Sequence, residues 1–522
     1  MFRILQKLLD DAGEMSDCEA DREHEACKRA LARMIISYEL PFSFVEGEGF
    51  KHFIEVVQPM WNPLGRLAMA TQCMLVYKEE KKALKQILKR QRLCLTMDTW
   101  TSVQNLNYMC LIGHFIDENW KYQKKILNFC VVPNHKGDTL GRMVEQCLLN
   151  WGIDKFLTIT VDNASSNSLL IAYLERKTKD RKTTILNHEF LHVRCSAHIL
   201  NLIVREGLQE IDVPIERVQN IVRYVRSSPS RMAAFWSCVE KEGITCRLKP
   251  CLNVSTRWDY THFMLERALT YQKAFDQLCD DPSFKLNVRK EDIDEEFDDV
   301  DGFEGMSRII EIEKRRQRKG RGQKEIIGPP TSSDWEKIKL YIKFLRVFYL
   351  ATLKFLGSLY VTCNVFFFFD EMVLIHQDIV KLCGTDDSDL HDLALVQFKM
   401  HMQKETNMAN KSELEKYLAE AIEDDSDKFD VLCWWKLNSS KYLIVSLMAR
   451  DVQAIPVSMV ASESAFSTSG RVIEPYRSSL SLKTMEALIC TQQWIRKPTK
   501  INIKEQLDEL EELDSGTTLF SA

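Results

Sequence analysis

The sequence has 16 cysteines but no C-x-x-C pair. That argues against the common zinc modules, which hold thiolate pairs close together. It also lacks an apolar leader at its start (MFRILQKLLDDAGEMSDCEADREHEACKR). Scattered cysteines without a secretory signal are expected to be reduced thiols. Glycine (19) and proline (13) are scarce for 522 residues. Such a composition excludes collagen-like and linker-rich chains, disfavours β-propellers and points to a helix-rich protein. There is no basic excess: 70 Lys and Arg stand against 75 Asp and Glu, a net charge of −5. A free-standing duplex binder carries a basic surplus, so any nucleic-acid contact must rest on local patches or on a further segment. The longest charge-free apolar run is 355–369 (FLGSLYVTCNVFFFF). It falls short of the ~20 residues a spanning helix needs. It reads as a core helix or helix–turn segment, and no membrane partner is expected.

Hydrophobic residues make up 45% of the chain, enough to bury a sizeable core. Residues 1–92 read as a helical region. Ala26, Ala30, Leu31, Met34 and Ile35 recur at mixed three- and four-residue spacing, and Pro41 stops the run. A second helical pattern covers 64–92 and ends in the basic stretch KKALKQILKRQRL. That stretch reads as a solvated face or, alternatively, a phosphate-contacting one.

From residue 93 the period changes to two. RLCLTMDTW reads as a strand ending at Asp98, NYMCLIGHFID (107–117) as a second and KKILNFCVVP (124–133) as a third. Asp117-Glu118-Asn119 makes a hairpin turn between the last two. A helix over 139–151, a strand at 155–165, a helix, a short strand at 190–195 and another helix follow. The order β-β-β-α-β-α-β-α predicts an antiparallel meander extended by parallel crossovers. The result is a mixed five-stranded sheet with helices on both faces, the ribonuclease-H-like arrangement. Beyond 208 the pattern is mostly helical. An acidic block (291–301) beside a basic one (314–324, KRRQRKGRGQK) predicts an exposed loop at about 284–330. KRRQRK reads as a nuclear-import or phosphate-binding run, or as plain solvating charge.

Two acids carry the chemistry. In the sheet order 3-2-1-4-5, Asp98 and Asp162 end neighbouring strands, so their carboxylates would stand side by side and repel. A divalent cation relieves that repulsion, and oxygen-only ligation suits Mg²⁺ or Mn²⁺. Two such ions support phosphodiester displacement. Either Asp alone reads as a strand-end cap, and only the pair at matched strand ends brings metal binding level with that reading. Glu463, among Ala461, Ser462, Ser464 and Ala465, is a candidate third acid, since small neighbours permit close helix approach. His188, His192, Cys195 and His198 have a zinc-like spacing. They straddle a strand and a helix start, however, so zinc is not expected.

Six blocks carry a resemblance: LPFSFVEGEGF (40–50), LTMDTWTS (95–102), TITVDNASSN (158–167), RCSAHILNLIV (194–204), STRWDYTHFMLE (255–266) and WWKLNSSKYLIVSLMARDVQAIPVSMVASESAFSTSGRVIEPYRSSL (434–480). In this order they resemble the hAT superfamily of DNA transposases, and in particular its domesticated plant BED-finger members of the RICESLEEPER and DAYSLEEPER type. The resemblance implies that Asp98, Asp162 and Glu463 are the catalytic, metal-binding carboxylates. It implies that Cys195 and His198 form a C-x-x-H pair near the active site, and that Trp258, beside Arg257, stacks on a flipped base; a core tryptophan in a helical pair is the other reading of Trp258. These four are the expected DNA-contacting residues.

The same resemblance implies an α/β ribonuclease-H-like domain beginning at 93–208 and interrupted by a helical insertion at 209–430. A C-terminal region at 431–500 carries the third acid and a dimerisation surface, and an acidic tail (501–522) follows. Trp434, Trp435, Tyr442, Leu443 and Leu447 are expected to be exposed and to be covered by a second copy. The BED finger of the family is expected to be absent, the chain is short over about 385–430, and FFFFDEM (366–372) departs from the family pattern. The expectation is a domesticated, nuclear, DNA-binding homodimer whose catalysis is lost. An active metal-dependent transposase and an inert scaffold are the alternatives.

Overall fold

The computed structural model describes residues 17–251 apart from 59–60, 62, 103–104, 184 and 210–211, together with 258–280, 328–355, 361–363, 412–420, 429–462, 465–466 and 480–496. The apolar run at 355–369, the 385–430 segment and the charged loop at 284–330 lie mostly outside the described residues, and FFFFDEM and KRRQRK lie wholly outside them.

In chain order the elements are α1 (Asp17–Ser37), a 3₁₀ turn (Phe42–Glu46), α2 (Glu48–Val57), α3 (Arg66–Leu88), β1 (Leu93–Thr101), β2 (Asn107–Ile116), β3 (Tyr122–Val131), α4 (Gly137–Trp151), β4 (Phe156–Val161), α5 (Ser165–Asp180), a 3₁₀ turn (Leu186–His188) and β5 (His192–Arg194). There follow α6 (Ser196–Gln209), α7 (Asp212–Arg226), α8 (Pro229–Lys241), α9 (Trp258–Thr270), α10 (Gln272–Cys279), α11 (Ser332–Phe355), α12 (Glu413–Leu418), α13 (Val431–Asn438), α14 (Leu443–Gln453) and α15 (Leu482–Ile495). Contacts divide the chain into two units: 1–193 with 358–498, and 194–357 with 499–522.

The first unit holds the sheet, in the order β3-β2-β1-β4-β5. β1 pairs antiparallel with β2 and parallel with β4, and β2 pairs antiparallel with β3. The expected mixed five-stranded sheet is present. Its first strand, however, runs three residues past Asp98. Trp100 pairs with Tyr108 across the ladder, and their rings lie 5.7 Å apart, which prolongs the strand.

Alternation puts Leu93, Leu95 and Met97 on one face of β1 and Cys94, Thr96 and Asp98 on the other. The first set shares a core with Leu140, Val144 and Leu148 of α4 and Leu170, Ile171 and Leu174 of α5. Each such side chain contributes about 1.5–3 kcal/mol on burial. Two glycines let α4 and α5 approach closely. A Cβ on Gly137 would lie 2.3 Å from the Ser166 carbonyl oxygen, and one on Gly141 would lie 2.7 Å from Tyr173. In α1 the buried face is Leu31, Ala32, Ile35 and Ile36, while Met34 turns outward. The stripe is rotated from the one predicted because α1 packs on α3 through Met69, Cys73 and Val76.

The opposite face is covered from the C-terminal end of the chain. Cys94, Ile116 and Trp120 share a cluster with Trp435, Tyr442, Val445 and Ala454. This corrects the expected exposure of Trp435 and Tyr442, which are only 3% and 2% exposed. Trp435 stacks on Trp120 at 6.0 Å, and Tyr417 packs against both Trp435 and Tyr442. Trp434 is half-buried. The solvent side of α14 instead carries Leu443, Ile444, Leu447, Met448 and Val452, all at least half exposed.

The second unit is helical. Phe235, Tyr271, Phe275 and Trp335 form its aromatic centre. Trp335 donates its indole N–H to Asp276 (3.0 Å), and Arg217 pairs with Asp334 (2.6 Å).

Candidate functional site: two carboxylates at neighbouring parallel strands

β1 and β4 align with Leu95 opposite Ile159 and Thr96 opposite Thr160. Continued by two residues, that register would set Asp98 opposite Asp162, which follows the last residue of β4. Adjacent strands lie ~4.8 Å apart, and residues opposite one another share a face. On that continuation the two acids would fall on one face, Asp98 within β1 and Asp162 directly after β4. Ligands of open α/β sheets gather outside that edge.

Each carboxylate is held by local donors. The Thr99 N–H donates to Asp98 Oδ1 at 2.8 Å, and Asp98 is buried. Asp162, the residue after β4, receives the Ala164 N–H at Oδ1 (2.9 Å), and the Asn167 amide donates to the same oxygen. The VDNAS sequence thus forms an Asp-closed turn leading into α5, whose N-cap residue is Ala164 and which has no side-chain cap. Both donors engage one oxygen, and among the described residues nothing donates to Asp162 Oδ2.

Below the acids the same face is polar and buried. Thr96 and Thr160 are fully enclosed. Thr96 Oγ1 lies 3.0 Å from His114 Nε2, and His114 Nδ1 lies 2.8 Å from the Tyr122 hydroxyl. Burial, reinforced by the Lys124 charge, drives the His114 imidazole down to about 3. Lys124 itself is pushed down to about 8 by burial. Thr160 donates to the Pro456 carbonyl at 2.6 Å, and the Val457 N–H donates to Thr362 Oγ1 at 3.3 Å. The first of these bonds seats the chain just before Ala461 against β4.

Glu463 lies outside the described residues. Its described neighbours pack on the sheet: Ala461, Ala465 and Phe466 belong to the main core, and Phe466 lies 5.7 Å from Trp100 and 5.9 Å from Phe129. Among the described residues no three His, Cys, Asp or Glu side chains gather as a metal set. The pair Asp98 and Asp162 supplies two hard oxygen donors of the type Mg²⁺ and Mn²⁺ take. The open Oδ2 of Asp162 fits that use.

The remaining expected residues belong to the helical unit or fall outside the description. Cys195 is buried immediately before α6, and His198 is half-buried in its first turn. Trp258 begins α9, and Arg257 lies outside the described residues. His188, of the zinc-like set, sits 2.6 Å from Thr178 Oγ1. Sequence reasoning missed Asn167 and His114. Asn167 had a signal, the second Asn of VDNASSN, five residues after the acid. His114 had only its polarity within an apolar strand. Among the described residues no helix is long and apolar enough to cross a membrane.

Three family models match the chain: the ZBED1 RNase-like domain over 96–190, the ZBED1 RNase-like helical domain over 193–295 and the hAT family C-terminal dimerisation region over 413–495. A Zea mays protein named as an AC transposase is 32% identical, covering 93% of this chain and 67% of its own length. RICESLEEPER 2 of Oryza sativa subsp. japonica is 26% identical over 89% of this chain and 74% of its own. DAYSLEEPER of Arabidopsis thaliana is 26% identical over 90% and 74%. The last two are named as zinc finger BED domain-containing proteins. The chain spans about two thirds to three quarters of the length of these relatives.

Proposed function

Since this chain belongs to the hAT transposase family, we propose that it is a transposase-derived nuclear protein that contacts DNA and works as a homodimer. One observation carries the dimer. The span matching the family's dimerisation region includes α14, whose outer side is the apolar stripe Leu443, Ile444, Leu447, Met448 and Val452. A contiguous apolar stripe of this kind is a surface that association would cover. Leu447 and Leu443 stay in the proposed interface. Trp435 and Tyr442 support it from beneath, by holding α14 on the sheet. The nuclear and DNA-contacting parts are supported by the relatives' names and by the KRRQRK run. Cys195, His198, Arg257 and Trp258 remain the proposed DNA-contacting residues.

The test is light scattering on purified protein, with Leu447→Glu alongside. A dimer that the variant converts to monomer supports the reading. A wild-type monomer at micromolar concentration refutes the homodimer, and a dimer that Leu447→Glu leaves intact moves the interface off α14.

A second reading, metal-dependent DNA cutting and joining, is supported by Asp98 on β1 and Asp162 directly after the neighbouring parallel strand β4. In it these two residues and Glu463 would hold Mg²⁺ or Mn²⁺. The bound ion would supply Lewis-acid stabilisation of a phosphodiester displacement. Nicking of DNA in Mn²⁺ that Asp162→Asn abolishes supports it, and nicking that survives the substitution refutes it. The remaining alternative, an inert scaffold, predicts no change in melting temperature with millimolar Mn²⁺.

A further inference from the structure

We infer that Asn167 is the positioning residue of the carboxylate pair: it turns Asp162 so that one oxygen is pinned to the protein and the other faces outward for a cation. The inference rests on the metal reading of Asp98 and Asp162 and adds to it a residue outside the expected acids.

The geometry is local and specific. Asn167 lies in the first turn of α5 and is buried (7% exposed). Its amide donates to Asp162 Oδ1, the same atom that receives the Ala164 N–H. Two donors converging on one oxygen fix the carboxylate plane. The turn itself needs only the one bond to a backbone N–H. The second comes from a buried side-chain amide, and ordering that amide has a cost which a surface cap would not repay. Because the Asn amide has a fixed acceptor, its oxygen and nitrogen are not interchangeable here: only the nitrogen can meet a carboxylate.

The support reaches further back. Asn167 is held by the start of α5, which packs against α4 where Gly137 leaves room for the Ser166 carbonyl and the Leu170 N–H. The Asn167 N–H also donates to the Ala164 carbonyl at 2.9 Å. Through these contacts the outward oxygen of Asp162 is aimed from the sheet-packed helix rather than from a free loop. Outer-shell partners of this kind orient ligating carboxylates in metal sites, and their loss lowers metal affinity by roughly 10–100-fold.

The experiment is Mn²⁺ titration of the full chain, by calorimetry or by the paramagnetic resonance of free Mn²⁺, with no nucleic acid present. Asn167→Leu keeps the branched side-chain shape and removes the donor. It is expected to weaken Mn²⁺ binding by about 10-fold or more. Asn167→Ser, which keeps a shorter donor, is expected to fall between the two and also serves if the leucine variant does not fold. In an Asp162→Asn background, Asn167→Leu should have no additional effect, because its action passes through that carboxylate. Wild-type binding that both Asn167 variants leave within twofold overturns the role of Asn167 while leaving the metal reading intact. An undiminished effect of Asn167→Leu in the Asp162→Asn background also overturns it. A wild-type chain that binds no Mn²⁺ at millimolar concentration overturns the metal reading and the inference together.

Discussion

Trp151 and Trp494 meet edge to face, with ring centroids 5.9 Å apart, and donate their indole N–H groups to the consecutive carbonyls of Leu127 and Ile126. Those carbonyls sit at a bulge. Leu111 pairs with Asn128 and Ile112 with Ile126, so Leu127 is the extra residue of β3. A bulge interrupts the ladder and leaves backbone groups to be satisfied elsewhere. Here one indole comes from α4 and the other from α15, hundreds of residues later, so the bulge at the edge strand is satisfied by two segments far apart in sequence.

Removing one indole donor exposes that dependence. Trp494→Phe keeps an aromatic ring near Tyr77, which stacks on Trp494 at 5.5 Å, but leaves the Ile126 carbonyl without its donor. Stability should fall by about 1–3 kcal/mol, the cost of an unsatisfied buried acceptor. Urea unfolding checks this. Combining it with Trp151→Phe should give a non-additive loss, since the two rings touch.

Gly137→Ala should destabilise the first unit by about 1–3 kcal/mol through overpacking. The added methyl would meet both the Ser166 carbonyl and Leu169 Cβ at under 3 Å, and a backbone carbonyl cannot swing aside as a side chain can. Thermal unfolding of the variant reads the loss. A melting temperature equal to wild type would show that α4 and α5 separate freely.

The buried imidazole of His114 makes stability depend on pH. The unfolded chain takes up its proton near ~6.5, the folded chain only near about 3. Its stabilising contribution is therefore complete above the unfolded value and is lost as pH falls through the interval between the two. The slope is at most about 1.4 kcal/mol per pH unit. The groups facing it are Thr96, Tyr122 and Lys124. A series of urea midpoints down this interval should fall for wild type and flatten for His114→Gln. An unchanged slope in the variant would assign the acid sensitivity to other groups.

The sheet was legible because its signal is local. Period-two runs, a DEN turn and helical stretches in strict order leave few topologies, and Asp98 and Asp162 then fall opposite by counting. The fate of Trp435 and Tyr442 was not legible. An apolar helix near a chain end reads the same whether it packs on a second copy or on its own sheet. What decides is Trp120, a residue of the distant β2–β3 turn, which presents its ring to Trp435. The end of β1 was misplaced for a similar reason, because Trp100 extends the strand through partners on β2 and around Phe466. Asn167 could have been found from the spacing in VDNASSN, whereas the burial of His114 depends on the helices laid over it.

The stacking of Trp435 on Trp120 also has a bearing on how the polypeptide is made. A ribosome that has finished residue 194 has emitted all five strands, yet the aromatic cover for Cys94 and Ile116 is still more than two hundred codons away. The nascent sheet must wait, one side bare, while the whole helical unit is synthesised. A message cut short anywhere before α13 would leave that side permanently uncovered, and its product would be a substrate for chaperones and proteases rather than a smaller working protein.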